Sequence, residues 1–302
     1  MERNAGKTWL RGALFAPVQA LKQFTYNPRL LAAARYCHLN NTLRKAYQWM
    51  TGGKHNILRV DLGRFEVLFQ AHSPLEYRTT EQYFVSYERD FIDALLSSLS
   101  EGEVFLDVGS SIGQFTVPLA KALGTSGLVI AVEPEVGACV QLEENLRLNG
   151  CSNVRILRVG LGDEPGQGSL SWADGRCPSL LSRSVENAAS PVAPSATGEV
   201  EVVAVEVGDQ LMEREHLPIP AAVKIDVEGY EYHVIRGMRQ TLRNPSCRLI
   251  CCEIHPAFLP GGTTPQMIIE EVKSIGFSDM ELRERSGQIH LVARKQPSQR
   301  GR

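Results

Sequence analysis

Residues Val104–Thr116 read VFLDVGSSIGQFT: an apolar run, an acid, and two glycines that open a helical pattern. The run predicts a buried parallel strand over Val104–Val108, with a helix following over Gly113–Leu123. A chain that leaves a strand and starts a helix at once needs positive φ or close backbone approach. Gly109 and Gly113 meet that need, and a side chain there would obstruct a ligand. Together with Asp107, the turn marks the crevice where an open α/β sheet holds an adenosine-bearing cofactor. The spacing G-x-x-x-G departs from the dinucleotide pattern G-x-G-x-x-G, and no GK[ST] follows to form a phosphate loop. Adenosine without a pyrophosphate is the reading that remains.

The segments that follow keep the same rhythm. Leu128–Val132 predicts the second strand and ends in Glu133-Pro134. An acid at that tip sits over the crevice and accepts both ribose hydroxyl protons. Val136–Asn149 reads as a helix, and Val154–Val159 as the third strand, running into Gly160-Leu161-Gly162-Asp163. There Leu161 is placed to pack on an adenine ring and Asp163 to accept from its amino group. Residues 160–198 are rich in Gly, Pro and Ser and predict a long excursion at the sheet edge. Glu199–Val207 alternates as an exposed strand would.

A second strand–acid–helix segment, Val223–Met238, reads VKIDVEGYEYHVIRGM. Strand alternation puts Lys224 and Asp226 on one face. Asp226 then stands at a carboxyl end beside the first strand, where Glu228 and Glu231 also gather, and a helix follows over Tyr230–Leu242. Arg248–Ile254 predicts the next buried strand, whose end places Glu253 and His255 toward the same cleft. A helix over Pro265–Ile275 and a hairpin of Phe277–Leu282 with Gln288–Val292 complete the pattern. Alternating strands and helices imply an α/β fold, a doubly wound and mostly parallel sheet with an antiparallel C-terminal hairpin.

The motifs DVGSSIGQFT, AVEP, ENLRLNG, GLGDEPG, KIDVEGYEYHVIRGM and CCEIHP together resemble the FkbM-type class I S-adenosylmethionine-dependent methyltransferases. The resemblance covers about residues 83–295. It implies the seven-stranded Rossmann-like methyltransferase sheet, S-adenosylmethionine as cofactor, and methyl transfer to a hydroxyl of a sugar, glycoconjugate or natural-product-like acceptor. The family's usual D-V-G-A-N-I-G is replaced here by Ser110 and Ser111, which still donate to the cofactor's carboxylate. The cofactor set is then Asp107, Gly109, Ser110, Ser111, Gly113, Glu133, Pro134, Leu161 and Asp163. The catalytic candidates are Lys224, Asp226, Glu228 and His255, because a carboxylate or imidazole suits removal of a hydroxyl proton. Asp226, Glu228, Glu253 and His255 also offer oxygen and nitrogen ligands for a divalent ion, without spacing that demands one. Tyr87 and Glu88 are further candidates to fold over the cofactor.

Net charge is −2, but residues 1–64 hold 11 Lys and Arg against Glu2 and Asp61 alone. Residues 1–56 predict a basic helical N-terminal extension, either a cap on the domain at 57–295 or a surface for an anionic membrane or acidic partner. Residues 57–71 read as a β-hairpin, Tyr83–Leu99 as a helix, and 296–302 as a tail. Seven scattered cysteines without a CxxC pair suit a reducing, cytoplasmic setting. No D/N-P-P-Y/F loop is present, so a nucleic-acid substrate is not expected. RNA or protein N-methylation, and a non-catalytic scaffold of the same fold, stay as alternatives.

Overall fold

The computed structural model describes residues 57–72, 74–84, 88–171, 179–181 and 200–296. Apart from Ile57 and residues 71–76, these fall in one compact unit. The expectations for residues 1–56, for Tyr87 and for most of the tail lie outside the described residues. In chain order the elements are β1 (Ile57–Asp61), β2 (Glu66–Gln70), α1 (Pro74–Gln82), α2 (Arg89–Ser98), β3 (Val104–Val108), α3 (Thr116–Leu123), β4 (Leu128–Val132) and α4 (Val136–Asn149). They continue with β5 (Val154–Leu157), β6 (Gly160–Gly162), β7 (Gly166–Ser171), β8 (Ser179–Leu181), β9 (Val200–Val207), α5 (Gly208–Arg214) and β10 (Ala222–Ile225). The last are α6 (Glu231–Gly237), α7 (Arg239–Arg243), β11 (Leu249–Ile254), α8 (Pro265–Ile275), β12 (Asp279–Arg285) and β13 (Gln288–Arg294).

Seven strands form the main sheet in the order β12-β13-β11-β10-β3-β4-β5. The pairs from β11 to β5 are parallel, and β13 runs antiparallel to both β11 and β12. Strand order reverses at β3, with β4 on one side and β10 on the other. The crevice beyond the carboxyl ends of β3 and β10 is therefore the topological switch point of the sheet.

Every residue of β10 and β11 is buried, because helices cover both faces. Neighbouring residues point to opposite sides. Phe105, Val129 and Cys251 join a core with Phe91 and Leu95 of α2, Leu119 of α3 and Leu142 of α4. Leu106, Ile130 and Cys252 join the other core, with Val234 of α6 and Ile268 and Val272 of α8. Thr264 accepts from the Met267 N–H at 3.3 Å and Pro265 opens α8, so that helix starts where its sequence says it should.

Four expectations change. The helix expected over Tyr83–Leu99 begins only at Arg89, and the Glu88 N–H reaches back five residues to the Tyr83 carbonyl at 3.0 Å. The third strand stops at Leu157, because Val159 folds back on the Leu157 carbonyl and the chain steps to another sheet. The segment read as an edge excursion supplies β6, β7 and β8, which join β9 in a four-stranded sheet ordered β6-β9-β7-β8. Strand β9 thus lies inside that sheet, with Val203 and Val205 buried and Val202 exposed. The helix expected over Tyr230–Leu242 breaks at Met238. Gly237 packs against the Gly162 carbonyl, and Asp209 accepts the Gln240 and Thr241 N–H groups at 2.7 and 2.8 Å to start α7 afresh.

Helix α4 clasps β2 with two amides one turn apart. Asn149 accepts from the Leu68 N–H at 2.9 Å and donates to its carbonyl at 2.6 Å. Asn145 accepts from the Gln70 N–H and donates to the Ile112 carbonyl, both at 2.8 Å. The same amide thus ties the β1–β2 ribbon to the glycine turn after β3. Replacing Asn145 with Leu strands both partners and is expected to cost about 2 kcal/mol in urea unfolding. An unchanged midpoint would show that the clasp contributes nothing.

Candidate functional site

The turn after β3 is built by backbone geometry. Gly109 and Gly113 adopt φ of 78° and 96°, and Ser111 between them is left-handed at 47°. A Cβ on Gly109 would lie 1.8 Å from the Asp226 carbonyl oxygen, and one on Gly113 would lie 2.6 Å from Leu142. Gly109 is therefore required by the neighbouring loop, which is a stronger reason than room for a ligand. The Gly109 and Ser110 N–H groups both donate to the Val132 carbonyl, at 2.9 and 3.1 Å, and so dock the turn on the end of β4.

Glu133, just past β4, holds the turn from the other side. Its carboxylate accepts from the Ser111 N–H at 2.8 Å and the Glu135 N–H at 2.9 Å. Each oxygen keeps a further lone pair, so both remain able to accept a diol. Burial pushes the group up to about 7, against the pull of the Glu135 and Ser111 hydrogen bonds. Ser110 Oγ is buried and has no hydrogen-bond partner among the described residues. An unpaired hydroxyl beside a glycine turn and a carboxylate with free lone pairs fit an adenosine-bearing cofactor with a polar tail.

Asp163 and Leu161 sit further along. Leu161 is buried in β6, and Pro134 follows Glu133. Asp163 meets α6, with His233 Nδ1 at 2.9 Å and Arg236 Nε at 3.6 Å, while His233 stacks on Tyr230 at 4.5 Å.

Strands β3 and β10 are joined by a buried cation. Lys224 lies opposite Asp107 in the strand register and is 2% exposed. Its Nζ donates to the Gly109 carbonyl at 2.7 Å, lies 3.4 Å from both Asp107 and Asp226, and sits over the Phe115 ring at 5.1 Å. Burial works against this charge. The surrounding carboxylates, Asp226 and Asp107 foremost, outweigh it and hold the ammonium above its usual range. Asp107 completes the set by accepting from Thr116 Oγ1 at 2.6 Å.

Beyond β10 the chain makes a strained turn, with Glu228 at φ 51° and Gly229 at 104°. This brings Asp226 and Glu228 to His255, which follows β11. His255 Nε2 lies 3.8 Å from Asp226, 3.6 Å from Glu228 and 3.7 Å from Glu253, while Nδ1 is 2.7 Å from Glu231. Burial raises Asp226, and it pushes Glu228 up to about 7, opposed by the His255 charge. Burial also opposes charge on His255, but the Glu231 hydrogen bond and the Asp226 and Glu228 charges lift the imidazole to about 10.

Glu253 is shared with a second group. His290 Nε2 lies 3.5 Å from Glu253 and 3.7 Å from Glu88, and its ring rests on Phe91 at 4.6 Å. Burial, with Glu253 beside it, pushes Glu88 up to about 9. Burial opposes charge on Glu253 too, but His290 and His255 outweigh it and leave it below its usual range. Two donor sets come within 4.8 Å, Asp226–Glu228–His255 and Glu88–Glu253–His290.

The structure gathers Lys224, Asp226, Glu228 and His255 around one corner and sets the glycine turn in backbone contact with it. Sequence reasoning left Glu231 and His290 without a role. Glu231 was visible as the last acid of KIDVEGYE, whereas His290 reaches Glu253 only through the register of β13 on β11. Lys224 is expected to be structural. Lys224→Met strands Asp107 and Asp226 and should cost about 3–5 kcal/mol in chemical denaturation. A variant of wild-type stability that only lost turnover would argue instead for a chemical role.

Compared with known proteins, the chain matches the methyltransferase FkbM domain over residues 107–278. It is 33% identical over 178 residues to the hexuronic acid methyltransferase AglP of Haloferax volcanii, covering 59% of this chain and 66% of AglP. It is also 33% identical over 106 residues to the 23S rRNA (uracil(1939)-C(5))-methyltransferase RlmD of Aeromonas hydrophila subsp. hydrophila, covering 34% of this chain and 20% of RlmD. Both matches span less than two thirds of the relative's own length. A crystal structure of methyltransferase FkbM from Methylobacillus flagellatus KT aligns with a TM-score of 0.44 and 16% identity, over 72% of this chain and 53% of that one. Among the described residues no helix is long and apolar enough to cross a membrane. The family match covers more than half of the chain, which belongs to the FkbM methyltransferases.

Proposed function

We propose that this chain is an S-adenosylmethionine-dependent O-methyltransferase whose acceptor is a hydroxyl of a sugar or glycoconjugate. The observation that carries the reading is the backbone contact between the two loops at the switch point: Gly109 lies against Asp226, so cofactor turn and carboxylate corner share one crevice. Family membership supports methyl transfer, and the hexuronic acid named for AglP supports a sugar acceptor.

In this reading Glu133 accepts the ribose hydroxyls, and Ser110 and Ser111 donate to the amino-acid tail. Leu161 and Asp163 stand toward the adenine, with Asp163 steadied by His233 and Arg236. When bound, S-adenosylmethionine supplies a methyl on positively charged sulfur, given up to the acceptor oxygen as the S–C bond breaks and its electron pair returns to sulfur. Glu228 takes the hydroxyl proton. It is the most exposed of the four carboxylates facing His255, and its value of about 7 suits a base at neutral pH. Asp226 orients the hydroxyl. Lys224 holds the two strands together and takes no part in the proton transfer. The surplus of carboxylates around His255 favours an uncharged hydroxyl over an anionic acceptor.

Glu133→Gln is expected to weaken S-adenosylmethionine binding at least tenfold, about 1.4 kcal/mol by calorimetry. Unchanged affinity would refute the ribose assignment, and no binding by folded wild-type protein would leave only a scaffold role.

Acceptors are found by a methyl-transfer screen of neutral glycosides, uronates and glycolipids, with and without Mg²⁺. With the acceptor in hand, kcat should rise with pH through about 7 as Glu228 ionises, and Glu228→Gln should flatten that limb. Asp226→Asn should lower kcat far more than cofactor affinity. A pH limb surviving in Glu228→Gln would move the proton acceptor elsewhere.

A further inference from the structure

The loop after β11 carries the one exposed Phe, Tyr or Trp ring among the described residues. Phe258 is 50% exposed, while its neighbour Leu259 packs against the core. A single exposed apolar side chain is common on protein surfaces, and this one is marked by its place. Its ring centroid lies 6.1 Å from that of His255, at a tilt of 31°. Backbone contacts pin it from both segments that build the carboxylate corner. The Phe258 N–H donates to the His255 carbonyl at 2.9 Å. Its own carbonyl oxygen presses on the β10–α6 turn, where a Cβ on Gly229 would lie only 2.4 Å away. The Thr263 N–H donates to the Pro260 carbonyl at 3.0 Å and closes the loop behind it. The ring is therefore held in advance beside the turn that carries Glu228. Glu228 and Asp226 keep open surface there, with side chains 27% and 17% exposed.

Oxygen acceptors next to a fixed aromatic face suit a ligand with two unlike sides. A pyranose has both: hydroxyls around its edge, and a face of axial C–H bonds that is apolar and slightly positive. Such a face complements the negative face of an aromatic ring. A linear polyol offers the hydroxyls without the face, and an anionic ligand would meet the carboxylates as like charge. We infer that Phe258 is a specificity-determining residue, the platform on which a neutral pyranose acceptor lays its C–H face while its hydroxyls turn to Asp226 and Glu228. Binding then covers the open part of a ring that is already in position, so little ordering opposes it. The part this plays in methyl transfer rests on the sugar-acceptor reading proposed above; pyranose binding at the ring is measurable without it.

The test is saturation-transfer difference NMR on the full chain with methyl β-D-glucopyranoside, methyl β-D-galactopyranoside and methyl α-D-mannopyranoside, and with mannitol as open-chain control. At least one pyranoside should bind, with saturation concentrated on the ring protons of one face. Phe258→Ala should weaken that binding about tenfold, and Phe258→Leu, which keeps apolar bulk without the aromatic face, about threefold or more. Phe258→Tyr, which keeps the face, should stay within about twofold of wild type. In turnover with an accepted pyranoside, Phe258→Ala should raise the acceptor KM about tenfold with little change in kcat or in the KM for S-adenosylmethionine. A merely structural role for the loop would not give that split. No saturation of any of the three pyranosides by wild-type protein overturns the inference. So does unchanged pyranoside affinity in folded Phe258→Ala or Phe258→Leu, or a loss of mannitol binding equal to that of the pyranoside. Should Phe258→Ala not fold, Phe258→Leu and Phe258→Tyr decide. Calorimetry with S-adenosylmethionine on the same samples separates the two readings. Absent cofactor binding by protein that still holds a pyranoside through Phe258 defeats the methyltransferase function and leaves the platform as measured.

Discussion

The ammonium of Lys224 is the constraint on which the rest of the crevice depends. Parallel strands whose central pair both carry acids near their carboxyl ends bring like charges together in a dry core. Asp107 and Asp226 do so here, and Lys224 lies within 3.4 Å of each. Taking an ion out of water costs several kcal/mol, which is offset only when its partners are close and its hydrogen bonds are made. The Gly109 carbonyl provides one such bond, and in doing so fixes the glycine turn to β10. One charge therefore sets the spacing of the switch point, the turn after β3 and the base of the corner after β10.

The corner itself is a balance among acids. Four carboxylates converge on His255, and a fifth, Glu88, joins through Glu253 and His290. Burial raises most of them, so the cluster cannot be fully ionised. It divides its charge unevenly: burial raises Glu88 and Glu228, while the two imidazoles hold Glu253 below its usual range. This graded set places the group closest to proton exchange where the crevice is most open, with the firmly charged members behind it.

The extent to which this was legible follows the locality of each signal. The bounds of β3, β4, α4 and α8 agree with their sequence patterns, since apolar runs, a Thr-Pro start and helical spacing act within a few residues. The small sheet was hidden because GQGSLS lacks a strand pattern and takes its order from β9, some thirty residues on. The breaks at Glu88 and Met238 likewise depend on remote partners, respectively a carbonyl in a wide turn and the packing of Gly237 with Asp209. Acids at strand ends marked the crevice in the sequence. Their protonation was not legible, since it arises from burial and from neighbours brought in by register, His290 opposite Glu253 above all.

The small sheet meets α6 at one end only. Gly162 of β6 lies against Gly237, close enough that a methyl on the latter would sit 1.9 Å from the carbonyl, while β8 is three strands away at the far edge. The β8 edge is thus remote from the helix that Glu231 begins. A substitution in β6 is felt directly at α6, whereas one in β8 has the rest of the sheet between. The two ends of one small sheet are in this way held to unequal constraint by their neighbours.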